Sequence, residues 1–167
     1  NADETKSPAT ILNRLDKLVE QSLHNKIDDI EIRDGMDLSI CKINFDTKVV
    51  EFAGAFNSIY LVRDNKLIEY DADSIYIGNN DANKPYTNQT FKIEKEDVLY
   101  MFSDGYADQF GGDKGKKFKY SQMQQLLVKN NNKTMDMQKQ LLNEEFEQWR
   151  GNLEQVDDVM IIGIKIS

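Results

Sequence analysis

Residues 98–112 read VLYMFSDGYADQFGG. The run from Val98 to Ser103 has the composition of a buried strand, and it leads straight into Asp104 and Gly105. Glycine lets the chain turn sharply, so the Asp104 carboxylate can face a cleft shared with another segment. That segment is found near the end of the chain, where Asp157 and Asp158 open a second apolar strand, DDVMIIGIKI. If the two strands are antiparallel neighbours, the end of one lies beside the start of the other. Carboxylates converging there repel one another unless a cation neutralises them. An all-oxygen set of this kind suits Mg²⁺ or Mn²⁺. Two plainer readings stand beside it on these residues alone. Ser-Asp-Gly is a common turn, and Asp-Asp ahead of a strand is often a solvated strand start.

Working outward, TFKIEKEDVLYMFSDG reads as a strand pair. Upstream, DLSICKINF, KVVEFAG, SIYLVRD and KLIEYDA are short strands separated by turn signals at Asp46-Thr47 and Asp64-Asn65. Such short connections make antiparallel neighbours. GNNDANKPYTNQ, residues 78–89, is a polar loop. Ser7-Pro8 opens a helix as N-cap and first helical residue, with Ile11, Leu12, Leu15, Leu18, Val19 and Leu23 on its apolar face. After the glycine-rich FGGDKGKKFK, helices are expected near Ser121–Lys129 and Met135–Trp149. In the second, Met137, Leu141, Leu142, Phe146 and Trp149 mark the buried face. Strands in hairpins with helices before and after them predict an α+β layered domain.

The 167 residues suffice for one domain with a sizeable core, and a net charge of −8 argues against a nucleic-acid partner. With one cysteine, Cys41, no internal disulfide forms and a reducing compartment is expected. Cys41 reads as a buried core thiol. The single histidine, His24, argues against histidine triads and His-rich zinc sites. No apolar run reaches the length of a membrane span. No signal peptide is visible, and Asn1-Ala2 reads as a cloning remnant.

The ordered set Asp-Gly-Met-Asp (34–37), Ala-Gly-Ala-Phe-Asn (53–57), Ser-Asp-Gly (103–105), Asp-Gln-Phe-Gly-Gly (108–112), Trp149 and Gln-Val-Asp-Asp (155–158) resembles the SpoIIE/RsbU branch of the metal-dependent protein phosphatases, type 2C. The resemblance implies a PPM-like layered β-sandwich of antiparallel strands flanked by helices. It spans residues 3–167 as a partial phosphatase domain, truncated at its N-terminus and lacking the first metal-binding motif. It makes Asp104 and Asp157 metal ligands, with Gly105 and Asp158 in supporting roles and no catalytic residue beyond the ligands. Asp34-Gly35 follows a helix and leads into a strand, so it reads as a turn and not as the family's first metal motif. Lys119 stands where relatives often carry glycine, which leaves that turn open. Asp108 and Asn57 read as turn residues, Lys114–Lys119 as a solvated basic loop, and Phe146 and Trp149 as core.

The implied activity is hydrolysis of phosphoserine or phosphothreonine on a bacterial regulatory protein, with two Mn²⁺ or Mg²⁺ ions in the complete domain. The fragment by itself is expected to be inactive. A non-catalytic phosphatase-like interaction module in signalling is the alternative. The implied partners are a phosphorylated protein of the anti-sigma-antagonist kind and an N-terminal sensor or signalling region of the same protein. An exposed sheet edge would also favour a homodimer. The implied location is cytoplasmic, with an upstream membrane anchor compatible with it.

Overall fold

The computed structural model describes residues 7–24, 35–78 and 84–167, apart from the side chains of 23 and 24. In chain order the elements are α1 (Pro8–His24), β1 (Leu38–Asn44), β2 (Val49–Ala55), β3 (Ile59–Arg63), β4 (Lys66–Tyr70), β5 (Gln89–Lys92) and β6 (Val98–Phe102). They continue as α2 (Gly105–Asp108), β7 (Phe110–Gly111), β8 (Lys116–Lys117), α3 (Tyr120–Asn130), α4 (Met135–Arg150) and β9 (Ile161–Lys165). The sheets are antiparallel, so the α+β class read from the sequence holds. No helix among the described residues is long and apolar enough to cross a membrane.

The chain forms two compact units: 1–58 with 70–94, and 59–69 with 95–167. In the first, the sheet order is β1-β2-β5, and α1 packs on β1 and β2. Ser7 caps α1 through its Oγ, which accepts from Thr10 N at 3.3 Å. Leu12, Ala53, Ala55 and Ile77 form the core here, and all four are fully buried. The buried stripe of α1 runs through Ala9, Leu12 and Asp16, which leaves Ile11 and Leu18 exposed, against the sequence expectation. The physical reason is polar. Asp16 is buried because its carboxylate accepts from Gly78 N at 2.8 Å, and Asn13 Oδ1 accepts from Tyr86 N at 3.2 Å. The helix therefore turns these side chains, and not Ile11 and Leu18, toward the loop. That loop is less uniformly polar than its composition suggests, since it buries Tyr86. Cys41 is half-buried in β1, not fully buried, and desolvation pushes its thiol up to about 11.

The second unit holds the sheet β4-β3-β6-β9, with β6 between β3 and β9. β5 and β6 do not pair with one another: β5 joins β2 and β6 joins β3 and β9. Their side chains explain this. Four of the five β6 residues are buried, as a central strand requires, whereas Gln89-Thr90-Phe91-Lys92 alternates between half-buried and exposed, as an edge strand does. Tyr100, Phe102, Tyr106, Phe118, Met123, Leu127 and Phe146 make the core of this unit, with Leu142 and Trp149 packed against it. On α4, Met137 is exposed and Gln138 is buried in its place. Gln138 Oε1 accepts from the Tyr100 hydroxyl, and its Nε2 donates to Lys133 O at 3.1 Å. A buried amide is tolerated where it is hydrogen-bonded, and that rule overrides the apolar count at this position.

The Arg63–Asp97 pair locks β3 to the lead into β6. Arg63 Nε and Nη2 donate to the two Asp97 oxygens at 2.9 and 2.6 Å, a bidentate fork around a carboxylate that is 1% exposed.

Candidate active site

β6 delivers Asp104. The register pairs Phe102 with Ile161, and the ladder continues one step further, with Ser103 N donating to Met160 O at 3.0 Å. The end of β6 and the residues leading into β9 therefore run side by side. Asp104 is the N-cap of the one-turn helix α2 (φ −70°, ψ −21°) and makes no side-chain cap hydrogen bond. Its half-buried carboxylate is thus not consumed by the helix it begins.

The opposing segment is irregular and is held by side chains. Ser103 Oγ donates to Asp158 O at 2.7 Å and accepts from Met160 N at 2.9 Å. A Cβ placed on Gly105 would lie 2.5 Å from Asp158 O, so only glycine lets α2 press this closely against residue 158. Gln155 Nε2 donates to Asp157 O, and Asp157 Oδ1 accepts from Asp158 N, both at 2.7 Å. The structure thus brings Asp104, Gly105, Asp157 and Asp158 to one end of the β6–β9 pair, with both residues 157 and 158 exposed.

Further support comes from Gln109, the fully buried second residue of the Asp-Gln-Phe-Gly-Gly motif, to which the sequence by itself assigns no role. Its Nε2 donates to Glu154 O at 2.9 Å, which anchors the segment that carries Gln155–Asp158. Trp149 Nε1 donates to Gln109 O at 3.0 Å, and Gly111 lies so close to Trp149 that a Cβ there would meet its carbonyl oxygen at 1.9 Å. The Asp-Gln-Phe-Gly-Gly run is therefore a packing surface for Trp149, with the tryptophan also set edge-on to Phe118.

Other residues singled out in the sequence lie elsewhere or act structurally. Asp108 pairs with Lys117 at 2.8 Å, so the basic stretch partly neutralises it through the β7–β8 hairpin. Lys119 has φ 77° and ψ 146°, a conformation that glycine adopts far more readily than a residue with a Cβ. Asn57 donates its main-chain N–H to Ala55 O at 2.7 Å, in a turn where Phe56 also has positive φ. Asp34 is outside the described residues. Gly35 sits against Tyr76. A cavity of about 500 Å³ beneath α4, lined by Tyr100, Tyr106, Leu142, Phe146 and Ile161 among others, includes neither Asp104 nor Asp157. Burial raises both of its tyrosines' pKa values.

The donors at the β6–β9 end are carboxylates and carbonyls, the chemistry of a hard divalent cation. They fit such an ion in kind. Among the described residues, no group of three or more His, Cys, Asp or Glu side chains is placed to hold one.

The antiparallel α+β architecture matches that of PP2C phosphatase domains. Over residues 1–167 the sequence matches the family described as Stage II sporulation protein E (SpoIIE), and the chain belongs to that family. Among solved structures it is similar to the SiaA-PP2C domain of Pseudomonas aeruginosa, with TM-score 0.86 and 21% identity over 99% of this chain and 63% of that one. It is similar also to the SpoIIE phosphatase domain of Bacillus subtilis presoaked with Mn, with TM-score 0.59 and 18% identity over 99% and 76%. The S. agalactiae serine/threonine phosphatase gives TM-score 0.56 and 16% identity over 93% and 68%. At these identities the likeness is one of fold. Comparison with curated proteins gives no match.

Proposed function

We propose that this protein hydrolyses phosphoserine or phosphothreonine on a protein substrate, with Mn²⁺ or Mg²⁺ held in part by Asp104 and Asp157. The observation that carries the reading is the β6–β9 pairing, which sets the end of Ser-Asp-Gly beside the start of Asp-Asp. When bound, such an ion supplies polarisation of the phosphoryl oxygens and a water of lowered pKa. The chain's own part is to hold and orient. Asp104 offers a carboxylate on a rigid strand end, Asp157 offers one on a segment tied down by Ser103 and Gln109, and Gly105 keeps the two segments close. A cysteine nucleophile is not the route, because the single thiol lies in β1 with its pKa pushed up to about 11. A phosphorylated regulatory protein as substrate, an N-terminal signalling region as controller and a cytoplasmic location belong to the same proposal.

The test is Mn²⁺-dependent turnover of a phosphoserine peptide by the full-length protein and its Asp104→Asn variant. Asn removes one negative charge from a half-buried side chain that contributes little to the core. The expected loss exceeds the roughly 10–100-fold that removing a mere supporting partner costs, with circular dichroism unchanged. Equal turnover by both proteins would refute the assignment. Absence of turnover in the parent protein would favour the interaction-module reading.

A further inference from the structure

We propose that Ser103 is a positioning residue for the cation site, setting where Asp157 stands relative to Asp104; the inference rests on the metal-dependent reading above. Main-chain pairing between β6 and β9 ends at Ser103 N and Met160 O. Beyond that point the two segments would be free to splay, and the Ser103 hydroxyl carries the connection two residues further. It accepts from Met160 N at 2.9 Å and donates to Asp158 O at 2.7 Å, using its one donor and a lone pair at once. Asp158 is the residue after Asp157, and Ser103 is the residue before Asp104. One hydroxyl therefore ties together the main-chain neighbours of both carboxylates.

The rest of the segment shows why this tie matters. Residues 151–158 are exposed and carry no strand pairing. Another anchor is Gln109 on Glu154 O, three residues before Asp157. Gly105 limits how close the Asp158 carbonyl can come, with space only for a hydrogen at its Cα. Glycine allows the approach and the serine hydroxyl holds it. Ligands of a hard cation need their oxygens at fixed positions, so losing such a support weakens binding without removing any ligand.

The experiment uses the full-length protein and three variants: Ser103→Ala, which loses both hydrogen bonds, Ser103→Thr, which keeps a hydroxyl, and Asp104→Asn as the ligand control. Mn²⁺ affinity is measured by calorimetry and by electron paramagnetic resonance, with no substrate present, and folding by thermal melting. Ser103→Ala should bind Mn²⁺ about 10–100-fold more weakly, with a melting temperature within about 4 °C of the parent. Ser103→Thr should restore affinity to within about threefold. Unchanged affinity in Ser103→Ala, with Asp104→Asn impaired, would overturn the positioning role and leave the metal reading standing. Ser103→Thr as weak as Ser103→Ala would overturn it as well. Asp104→Asn binding as tightly as the parent would overturn the metal reading and the positioning role together.

Discussion

Replacing Gly105 by alanine tests the β6–β9 end with one methyl group. The added Cβ would stand 2.5 Å from Asp158 O, 3.0 Å from its carbonyl carbon and 3.3 Å from Val159 Cγ2. Ordinary contact begins at 3.4 Å, so the Asp158 carbonyl must retreat by about 0.9 Å. Backbone atoms cannot swing aside as a flexible side chain can. The same retreat would stretch the 2.7 Å hydrogen bond from Ser103 past the useful range. Overpacking of this kind costs about 1–3 kcal/mol. Alanine returns at most about 1 kcal/mol through its better helix propensity in α2. The net expectation is about 1 kcal/mol of destabilisation, which for a chain of this size lowers the melting temperature by about 2–4 °C. Function should suffer more than stability. A displacement near 1 Å at a reacting centre can cost on the order of 100-fold, so kcat for a phosphoserine peptide should fall by about that factor. Thermal melting and steady-state kinetics on one preparation read both effects. A variant with unchanged melting temperature and unchanged kcat would show that residues 157–160 yield freely, and the reasoning about this contact would fail.

Lys119→Gly should raise the melting temperature by about 2–4 °C, because relief of a conformation costing about 1–3 kcal/mol exceeds the 0.4–1 kcal/mol or so of added chain entropy; a fall on thermal melting would refute the strain. Asp97→Asn removes the charge partner of Arg63, and breaking a buried pair costs about 3–5 kcal/mol. Because the Arg63 side chain is 26% exposed and can rehydrate, about 2–3 kcal/mol is expected as a shift in urea midpoint, and an unmoved midpoint would contradict the pair's role. Cys41 should react with a thiol reagent at pH 8 about 100-fold more slowly than an ordinary cysteine, since its thiol is pushed up to about 11 from 9.0. Folding raises this pKa, so the associated stability is present in full below the unfolded value and is lost as pH rises through about 11. Labelling at the unfolded rate would disprove the burial.

Local pattern in the sequence was enough for the α+β class, for the apolar strand that ends on Asp104 and for the acidic pair before the last strand. These are properties of a segment and its immediate neighbours, and periodicity and turn chemistry report them directly. The ordered motifs also carried the family. Partnership was a different matter. Short connectors suggested that β5 would pair with β6, yet each went to a different sheet, because burial on both faces and not proximity in the chain chooses a strand's neighbour. Ile11 and Met137 looked apolar enough for the core and lie exposed, while Asp16 and Gln138 are buried. Those polar residues are tolerated because Gly78 N, the Tyr100 hydroxyl and the Lys133 carbonyl satisfy them, and the first two of these partners are remote in sequence. The supports of the candidate site follow the same rule. Ser103 and Gln109 lie within the Ser-Asp-Gly and Asp-Gln-Phe-Gly-Gly motifs, yet no local pattern shows what they hold, since a hydroxyl or amide acquires its role from the carbonyl that the fold places opposite it, 55 and 45 residues away. The sequence nominated the candidate groups, and tertiary structure decided which of them are held still, because burial preference is written locally whereas hydrogen-bond satisfaction is settled only when distant segments meet.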